Sequence, residues 1–277
     1  RLLIGEIARE NGHPYVKKIS YTRVPLRLGG EVFDSGEISI RKAEDFIKTM
    51  KAFSLIADIF NVSAIRACAT SAMRDAKNGP EVIQQIKRNT GIEIEIISGD
   101  EEARLIFGTF TLLDIERSKP YLVIDVGGGS TEINVFEHGK RVAAKSFDIG
   151  TVRMLKDKVD KKDWRELKDW IQEHVEDNPH LVYATGGNIN KIHKILGCKE
   201  KSPVTLRAMN KLYKDLEPLS VGQRMDLFQL KPDRADVIVP ALEIFRVCMT
   251  ALKCKEMYVP KIGLSDGIVY DLHKKKV

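Results

Sequence analysis

Three consecutive glycines, Gly127–Gly129, stand between two runs that favour β-strands, Tyr121 to Asp125 and Thr131 to Phe136. Glycine lets a backbone approach a phosphate closely and turn several N–H groups toward it. Asp125 ends the first strand and Ser130-Thr131-Glu132 opens the second, so carboxylate oxygens of the kind that Mg²⁺ prefers flank the glycines. A glycine triplet alone is typical of an ordinary tight turn. With these neighbours it predicts a phosphate-binding loop beside a metal-binding carboxylate.

A second glycine pair, Gly186-Gly187, follows a predicted strand at Leu181 to Ala184 and precedes a helix from about Asn188. The N–H groups at a helix N-terminus bind anions, and glycine allows a close approach. Strand-to-helix turns often contain glycine, so this pair is weak evidence alone. Its place in the same half of the chain as the triplet favours a second anion-binding loop.

The first half contains an acidic turn, Asp100-Glu101-Glu102, at the start of a predicted helix that runs from Glu101 to Leu112. Acidic residues are common there because they interact favourably with the helix dipole. A carboxylate at this position is also able to deprotonate a water molecule. Arg74 follows a predicted strand at Val62 to Ala69, and its guanidinium could neutralise phosphoryl oxygens, although it also fits an ordinary surface arginine.

Secondary-structure patterns divide the chain into two similar halves. Asn11-Gly12 predicts a hairpin turn, apolar residues at helical spacing predict a long helix after Ser39, and Pro80 and Gly91 bracket another helix. Both halves fit a βββαβα order, which indicates a duplicated α/β unit with a cleft between the copies. We therefore expect domains at 1–118 and 119–277, with a final helix at about 265–275 that packs back on the first domain.

Composition favours a cytoplasmic protein, and its charge is a weak signal for a polyanionic ligand. The chain has 277 residues, 43% hydrophobic and 30% charged, and its apolar runs are too short to span a membrane. Its four cysteines form no metal-binding pattern, so we expect reduced thiols. The net charge of +6 suits a phosphate-rich ligand. The only basic run is Lys274–Lys276, so a nucleic-acid partner is not expected.

Seven ordered motifs closely resemble the exopolyphosphatase/guanosine pentaphosphate phosphohydrolase family. They are ATSAMRDA (69–76), ISGDEEARLIFGT (97–109), VIDVGGGSTEI (123–133), DIGTVRM (148–154), ATGGNINKI (184–192), RADVIVPAL (234–242) and GLSDGIVYDL (263–272). The resemblance covers almost the whole chain. It implies an α/β fold of duplicated, ribonuclease-H-like domains of the actin/sugar kinase/Hsp70 type. It also implies Mg²⁺-dependent hydrolysis of terminal phosphoanhydrides in an interdomain cleft, and it is compatible with a homodimer.

The same resemblance implies roles for individual residues. Glu102 would be the catalytic base, with Glu101 as the second candidate, and Arg74 would contact the phosphate chain. Asp125 and Glu132 would hold Mg²⁺. The phosphate-binding set would be Gly127, Gly128, Gly129, Ser130, Thr131, Gly186, Gly187 and Arg153.

Two features of the family pattern are not found in this sequence. Family members place a strand and a first phosphate loop of the D-x-G-S-N-S type before the segment that matches Arg1–Ile4, and this sequence begins after it. Longer members also carry a helical extension that helps to hold long polymers. We therefore expect the first domain to lack one central strand and one phosphate loop.

Two other functions fit the same motifs. A kinase of this superfold would use the glycine loops for ATP, and it would need a carboxylate opposite an acceptor pocket. A sensor of guanosine tetra- or pentaphosphate would bind the nucleotide without turnover. Phosphate release without an acceptor distinguishes a hydrolase from both alternatives.

Overall fold

The computed structural model describes residues 1–10, 12–113, 115, 119–175 and 181–276, and the chain folds as two compact units. The first unit comprises Arg1–Ile115 and Ile262–Val277, and the second comprises Glu116–Lys261. The final helix therefore belongs to the first unit by its contacts. Asn11, half of the predicted hairpin turn, lies outside the described residues. None of the described helices is both long enough and apolar enough to span a bilayer.

The helices and strands are numbered in chain order. From the first residue to the end of the first unit's main segment they are β1 (Leu2–Glu10), β2 (His13–Thr22), α1 (Gly29–Ser35), α2 (Ile40–Ile59), β3 (Ala67–Ala69), α3 (Ser71–Asp75), α4 (Gly79–Thr90), β4 (Ile94–Ile96) and α5 (Gly99–Phe110). The second unit contains β5 (Tyr121–Val126), β6 (Thr131–Glu137), β7 (Lys140–Phe147), α6 (Thr151–Leu155), α7 (Lys161–His174), β8 (Leu181–Thr185), α8 (Gly187–Ile195), β9 (Val204–Thr205), α9 (Leu206–Leu216), α10 (Val221–Phe228), α11 (Pro232–Ala235), α12 (Ile238–Ala251) and β10 (Glu256–Met257). The chain then returns to the first unit with α13 (Leu264–Lys276).

Local sequence signals set the helix ends of the first unit. The Ser39 side chain accepts a hydrogen bond from the N–H of Lys42 and so caps α2, as predicted. Gly91 ends α4 in the left-handed conformation, at φ 71°, with its N–H bonded to the carbonyl of Lys87. These two ends confirm the sequence-based helix boundaries.

The first unit contains two separate two-stranded sheets. β1 pairs with β2 in an antiparallel hairpin, and β3 pairs with β4 in parallel. Within the described residues, β1 and β3 are each paired on one edge only. A cavity of about 900 Å³ is lined by residues of both strands, by Met50 and Phe53 of α2, and by Ile268 of α13.

Helix α13 packs against α5 without room for a side chain at one point. A Cβ atom on Gly267 would lie 2.1 Å from the carbonyl oxygen of Leu105, so only glycine allows this approach. The buried Asp266 carboxylate accepts a bond from the N–H of Gly263 at 3.1 Å and pairs with Lys18 Nζ at 2.8 Å. These contacts fix both the start and the face of the helix.

An ion-pair cluster joins the same two helices to the β3–β4 sheet. Arg66, whose side chain is only 9% exposed, bonds Glu95, Glu101 and Asp271 through contacts of 2.8 to 3.0 Å. Arg104 bonds Glu101 at 2.6 Å and Asp271 at 2.9 Å. The hydrogen bond from Arg104, followed by that from Arg66, lowers the pKa of Glu101 to about 2 against the opposing effect of burial.

The second unit is built on one four-stranded sheet in the order β7-β6-β5-β8. β5 is antiparallel to β6 and parallel to β8. Alternate residues Leu122, Ile124 and Val126 enter the main core with the apolar faces of α8 and α12. Because successive side chains of a strand point to opposite faces, Asp125 points to the other face of the sheet.

Several sequence predictions differ from the structure in length or number. The predicted strands at Val62 to Ala69 and Ile92 to Ile97 shorten to β3 and β4, with three residues each. The predicted helix at Ala235 to Leu252 corresponds to α12 but starts later, at Ile238, because Ala235 ends the separate short helix α11 that begins at Pro232. The first half opens with two strands instead of three, so the shared βββαβα order was wrong there. The physical reason is that residues after Thr22 pair with no strand and enter α1.

We expect Gly267→Ala to reduce the free energy of unfolding by about 1–3 kcal/mol, because the new methyl group must displace backbone of α5. Gly30→Ala is the control, since a Cβ on Gly30 in α1 has no heavy atom within 4 Å and reports the helix-propensity gain alone. Urea denaturation measures both. Equal stability of the two variants would contradict the close packing of α13 on α5.

We expect the stabilising effect of Glu101 to disappear in acid. Its pKa falls from 4.5 to about 2 in the folded state, so its contribution is present above about pH 4.5 and is lost as the pH falls toward 2. Glu101→Gln should therefore destabilise the protein most at neutral pH, and the difference from the parent should shrink between pH 4.5 and 2. Exposed Glu44 in α2 provides the control variant, Glu44→Gln. A difference that stays constant across this range would contradict the ion-pair cluster.

Candidate active site

The glycine loop joins β5 to β6 in the second unit. The N–H of Gly127 donates to the carbonyl of Ser130 at 2.9 Å and closes the turn. The strands on either side pair in register, so Asp125 stands directly opposite Glu132. The predicted loop and the two predicted carboxylates are therefore adjacent.

The carbonyl groups of the three glycines are all bonded to residues at the start of α6. Gly127 accepts from the N–H of Thr151 at 3.1 Å, and Gly128 accepts from the N–H of Val152 at 2.8 Å. Gly129 accepts from Arg153 Nε at 2.7 Å. By contrast, no acceptor in the described part of the chain bonds the N–H groups of Gly128, Gly129 or Ser130. The loop thus keeps its donors for an anion.

Gly150 and Thr131 help to fix the position of this loop. A Cβ on Gly150 would lie 2.4 Å from the carbonyl oxygen of Gly128, so α6 approaches the loop only because residue 150 is glycine. Thr131 is fully buried, and its Oγ1 donates to the carbonyl of Ile149 at 2.6 Å. Thr131 was expected to bind phosphate directly. Its hydroxyl instead braces the loop and has no exposed surface for a ligand.

Arg153 also acts on the loop. Its guanidinium is 18% exposed, and one nitrogen lies 3.3 Å from the carboxylate of Asp148 while Nε bonds Gly129. The contact to a loop carbonyl makes Arg153 a positioning residue for the predicted phosphate-binding set.

The opposed carboxylates of Asp125 and Glu132 form a site suited to a cation. Like charges directly opposite on neighbouring strands destabilise a sheet unless a positive charge compensates them. Glu132 is 4% exposed and accepts a hydrogen bond from Ser146 Oγ at 2.9 Å. Thr185 is the parallel partner of Asp125, and its buried Oγ1 has no hydrogen-bond partner among the described residues. These oxygens fit Mg²⁺, which binds one or two carboxylates and keeps several waters.

The second glycine pair lies against the same carboxylate. Gly186 has φ 103°, and a Cβ there would lie 2.7 Å from Asp125 Oδ1. A Cβ on Gly187 would lie 2.4 Å from Arg234 Nη2, and Arg234 Nη1 donates to Asn188 Oδ1 at 2.6 Å. The two glycines at the start of α8 therefore lie against the Asp125 carboxylate and against the guanidinium of Arg234 in α11.

The predicted catalytic pair of the first unit is also in contact. Arg74 Nη1 donates to the carbonyl of Ile97 at 2.7 Å and lies 3.6 Å from Glu102 Oε2. Ser98 caps α5 through the N–H of Glu101, so the helix start fixes where Glu102 leaves the backbone. The Glu102 side chain is 12% exposed.

Glu101, the second candidate for the base, is committed elsewhere. Its two carboxylate oxygens bond Arg66 and Arg104, and its pKa of about 2 makes it a poor proton acceptor. The geometry favours Glu102 over its neighbour.

Sequence reasoning missed Gly150, Thr185 and Arg234 as parts of the site. All three lie within motifs that the sequence displays, DIGTVRM, ATGGNINKI and RADVIVPAL. Their contacts are with residues distant in the sequence, so the motifs themselves gave no indication of their roles. Among the described residues, no group of three or more histidine, cysteine or acidic side chains forms a complete metal site. A metal at Asp125 and Glu132 would therefore need further ligands besides these two carboxylates.

Comparison with known proteins agrees with these motifs. Residues 6–276 match the model of the Ppx/GppA phosphatase family. Exopolyphosphatase 1 of Mycobacterium tuberculosis is 25% identical over 95% of this chain and 82% of its own length. The guanosine-5'-triphosphate,3'-diphosphate pyrophosphatase of Aeromonas salmonicida is 27% identical over 75% of this chain and 45% of its own length.

Solved structures show the same fold. An exopolyphosphatase from Cytophaga hutchinsonii superposes with a TM-score of 0.82 at 22% identity, over 99% of this chain and 94% of that one. The Ppx/GppA family member of Aquifex aeolicus gives a TM-score of 0.77 at 23% identity, over 99% of this chain and 94% of that one. The fold is the α/β, duplicated actin-like fold, and the chain belongs to the Ppx/GppA phosphatase family.

Proposed function

We propose that the protein hydrolyses the terminal phosphoanhydride of inorganic polyphosphate, and that guanosine pentaphosphate is an alternative substrate for the same chemistry. The observation that carries this proposal is the glycine loop. Its glycine carbonyls are bonded to α6, the N–H groups of Gly128, Gly129 and Ser130 remain available, and two opposed carboxylates stand at its ends. That arrangement suits a terminal phosphoryl group with a bound cation.

Relatives favour polyphosphate as the main substrate. The exopolyphosphatase of M. tuberculosis matches this chain over 82% of its own length, whereas the guanosine-phosphate pyrophosphatase matches over 45%. Both substrates end in a phosphoanhydride, so the same loop and base serve either.

The second unit binds and orients the phosphate. In this proposal the N–H groups of Gly128, Gly129 and Ser130 donate to the phosphoryl oxygens, and the start of α8 adds N–H donors at Gly186 and Gly187. Asp125 and Glu132 would hold Mg²⁺. The ion would supply positive charge for the oxygens that become more negative in the transition state. Because the donors are fixed before substrate arrives, they need no reorganisation during the reaction.

The first unit supplies the base and a positive charge. Glu102 accepts a proton from the attacking water as the water oxygen bonds the terminal phosphorus and the bridging P–O bond breaks. The bridging oxygen leaves with the shortened chain, and inorganic phosphate is the other product. Arg74, held by the Ile97 carbonyl, places its guanidinium beside Glu102 and orients that carboxylate.

We expect Glu102→Gln to lower kcat by about 10²–10⁴-fold, because the amide cannot accept the proton. The measurement is phosphate release with Mg²⁺ from polyphosphate, guanosine pentaphosphate and ATP. Asp100→Asn, in the same helix turn and exposed, is the matched control and should keep the parent rate.

Two results would contradict this assignment. An unchanged rate in Glu102→Gln would remove the base from the mechanism. Tight binding of guanosine pentaphosphate by the parent protein without any phosphate release would indicate a sensor instead of a hydrolase.

We expect Gly150→Ala to lower kcat/KM by about 100-fold, since its methyl group must push the glycine loop away from α6. Gly222→Ala in α10 is the control, because the nearest heavy atom to its Cβ would be at 3.9 Å. Steady-state kinetics with polyphosphate, together with thermal unfolding, separates a displaced loop from an unfolded protein. Parent-like kinetics in a folded Gly150→Ala would show that the position of the loop does not limit catalysis.

A further inference from the structure

One face of α9 in the second unit carries an unusual concentration of positive charge. Arg207, Lys211 and Lys214 lie at spacings of four and three residues, so they share one side of the helix. The opposite side buries Met209, Leu212 and Leu216 in the core. The three cationic groups are exposed and extend about 10 Å along the helix axis.

Lys255 adds a fourth cation to this face. Its carbonyl accepts a hydrogen bond from the N–H of Leu206 at 2.9 Å, which ties the segment before β10 to the start of α9. The four cations line a surface depression of about 660 Å³ together with Leu206 and Asn210. We call this surface the α9 basic face.

Little negative charge compensates the α9 basic face. Asp215 is the only acidic residue within α9. Among the described residues, Arg207, Lys211, Lys214 and Lys255 take part in no ion pair. A cluster of this kind repels itself and gains most from a multivalent anion.

A part-buried contact holds the middle of this face in place. Arg246 Nε donates to Asn210 Oδ1 at 2.6 Å, and its guanidinium lies 4.1 Å from the centre of the Tyr213 ring. Asn210, which lines the depression, is thereby held in place. The face therefore combines four charges with a fixed polar group.

Helix α7 shows that such spacing does not by itself create a basic surface. Lys161, Arg165 and Lys168 repeat the same spacing of four and three residues. However, α7 also carries Asp163, Glu166, Asp169 and Glu173, and Glu166 pairs with Lys145 at 2.9 Å. The charges of α7 balance, whereas those of α9 do not.

The α9 basic face lies away from the glycine loops. β8 ends at Thr185, beside Gly186, and Tyr258 pairs in parallel with Tyr183 of β8. Lys255 precedes that pairing, so it stands toward the strand end opposite to Gly186. α9 begins at this same end, because β9 is antiparallel to β10.

We propose that the α9 basic face binds inorganic polyphosphate at phosphates far from the reacting end. The chemistry favours a polyanion without bases. Of the described residues that line the depression, none is aromatic, so nucleic-acid bases would have no stacking surface. Closely spaced phosphates need only exposed cations and a few donors. This inference rests on the proposed function only in naming polyphosphate as the substrate.

A site remote from the reacting end would retain long chains and leave short ones unaffected. Tripolyphosphate cannot span both the glycine loops and α9, so its hydrolysis should not depend on the α9 basic face. A long chain would engage both sites, and the second contact would raise its effective concentration at the first.

The test compares two variants that remove the same charges from helices with the same spacing. One variant carries Arg207→Gln, Lys211→Gln and Lys214→Gln, and the control carries Lys161→Gln, Arg165→Gln and Lys168→Gln. For the α9 variant we expect KM for long-chain polyphosphate to rise on the order of tenfold, from three lost surface contacts, with kcat unchanged. Its kcat and KM for tripolyphosphate should equal those of the parent, and the control should equal the parent throughout.

Direct binding gives a readout that does not depend on turnover. In the Glu102→Gln background, the affinity for long-chain polyphosphate is measured at several salt concentrations. The magnitude of the slope of log K against log salt should fall by about two in the α9 variant. The loss of three phosphate contacts reduces the number of counterions that are released on binding. Lys255→Gln alone should give a smaller change in the same direction.

Three outcomes would overturn the inference. The first is that the α9 variant binds long chains as tightly as the parent does. The second is that the α7 control loses as much affinity as the α9 variant, which would mean that binding depends on net charge alone. A loss of single-stranded RNA binding with polyphosphate binding unchanged would make this a nucleic-acid surface. If no variant or parent hydrolyses any substrate, the proposed function fails, while the binding comparison still decides the role of α9.

Discussion

Hydrogen bonding between the glycine loop and the start of α6 is the interaction on which the second unit's site depends. A loop of four residues has as many acceptors as donors, and an anion is repelled by carbonyl oxygens. Here the N–H groups of α6 and the Arg153 side chain bond the carbonyls of Gly127–Gly129. The three glycine carbonyls are thus bonded by one neighbour, and the Ser130 carbonyl accepts the N–H of Gly127 within the loop, an arrangement that favours an anion at the remaining N–H groups. Gly150 permits this neighbour to approach.

The positions of the arginines likewise give two adjacent glutamates, Glu101 and Glu102, different surroundings. Glu101 meets Arg66 and Arg104 through contacts of 2.6 to 3.0 Å, which hold its proton affinity low, and both arginines also bond Asp271 of α13. Glu102 lies 3.6 Å from Arg74, whose nearer bond is to the Ile97 carbonyl. One carboxylate is therefore committed to ion pairs, and the next along the helix is the one that we propose as the base. Successive residues of a helix point about a quarter turn apart, which allows such a division.

Local signals in the sequence were sufficient to predict the helices that have clear ends and the loop that joins β5 to β6. Ser39 and Gly91 act on neighbouring backbone, and the period of two places Asp125 away from the core. The lengths of β3 and β4 could not be predicted, since they depend on which strands are present to pair. The bracing role of Thr131 was missed because its partner, Ile149, lies in another element.

The two units differ in how their backbone hydrogen bonds are distributed. In the second unit β5 is paired on both edges and lies over a continuous core, so its amides open only when much of the unit unfolds. In the first unit β3 and β4 share three residue pairs beside a cavity of about 900 Å³. Amide hydrogens there should exchange with solvent through small, local openings. The proposed base is thus carried by the unit with the more labile sheet, and the proposed phosphate loop by the unit whose central strand opens last.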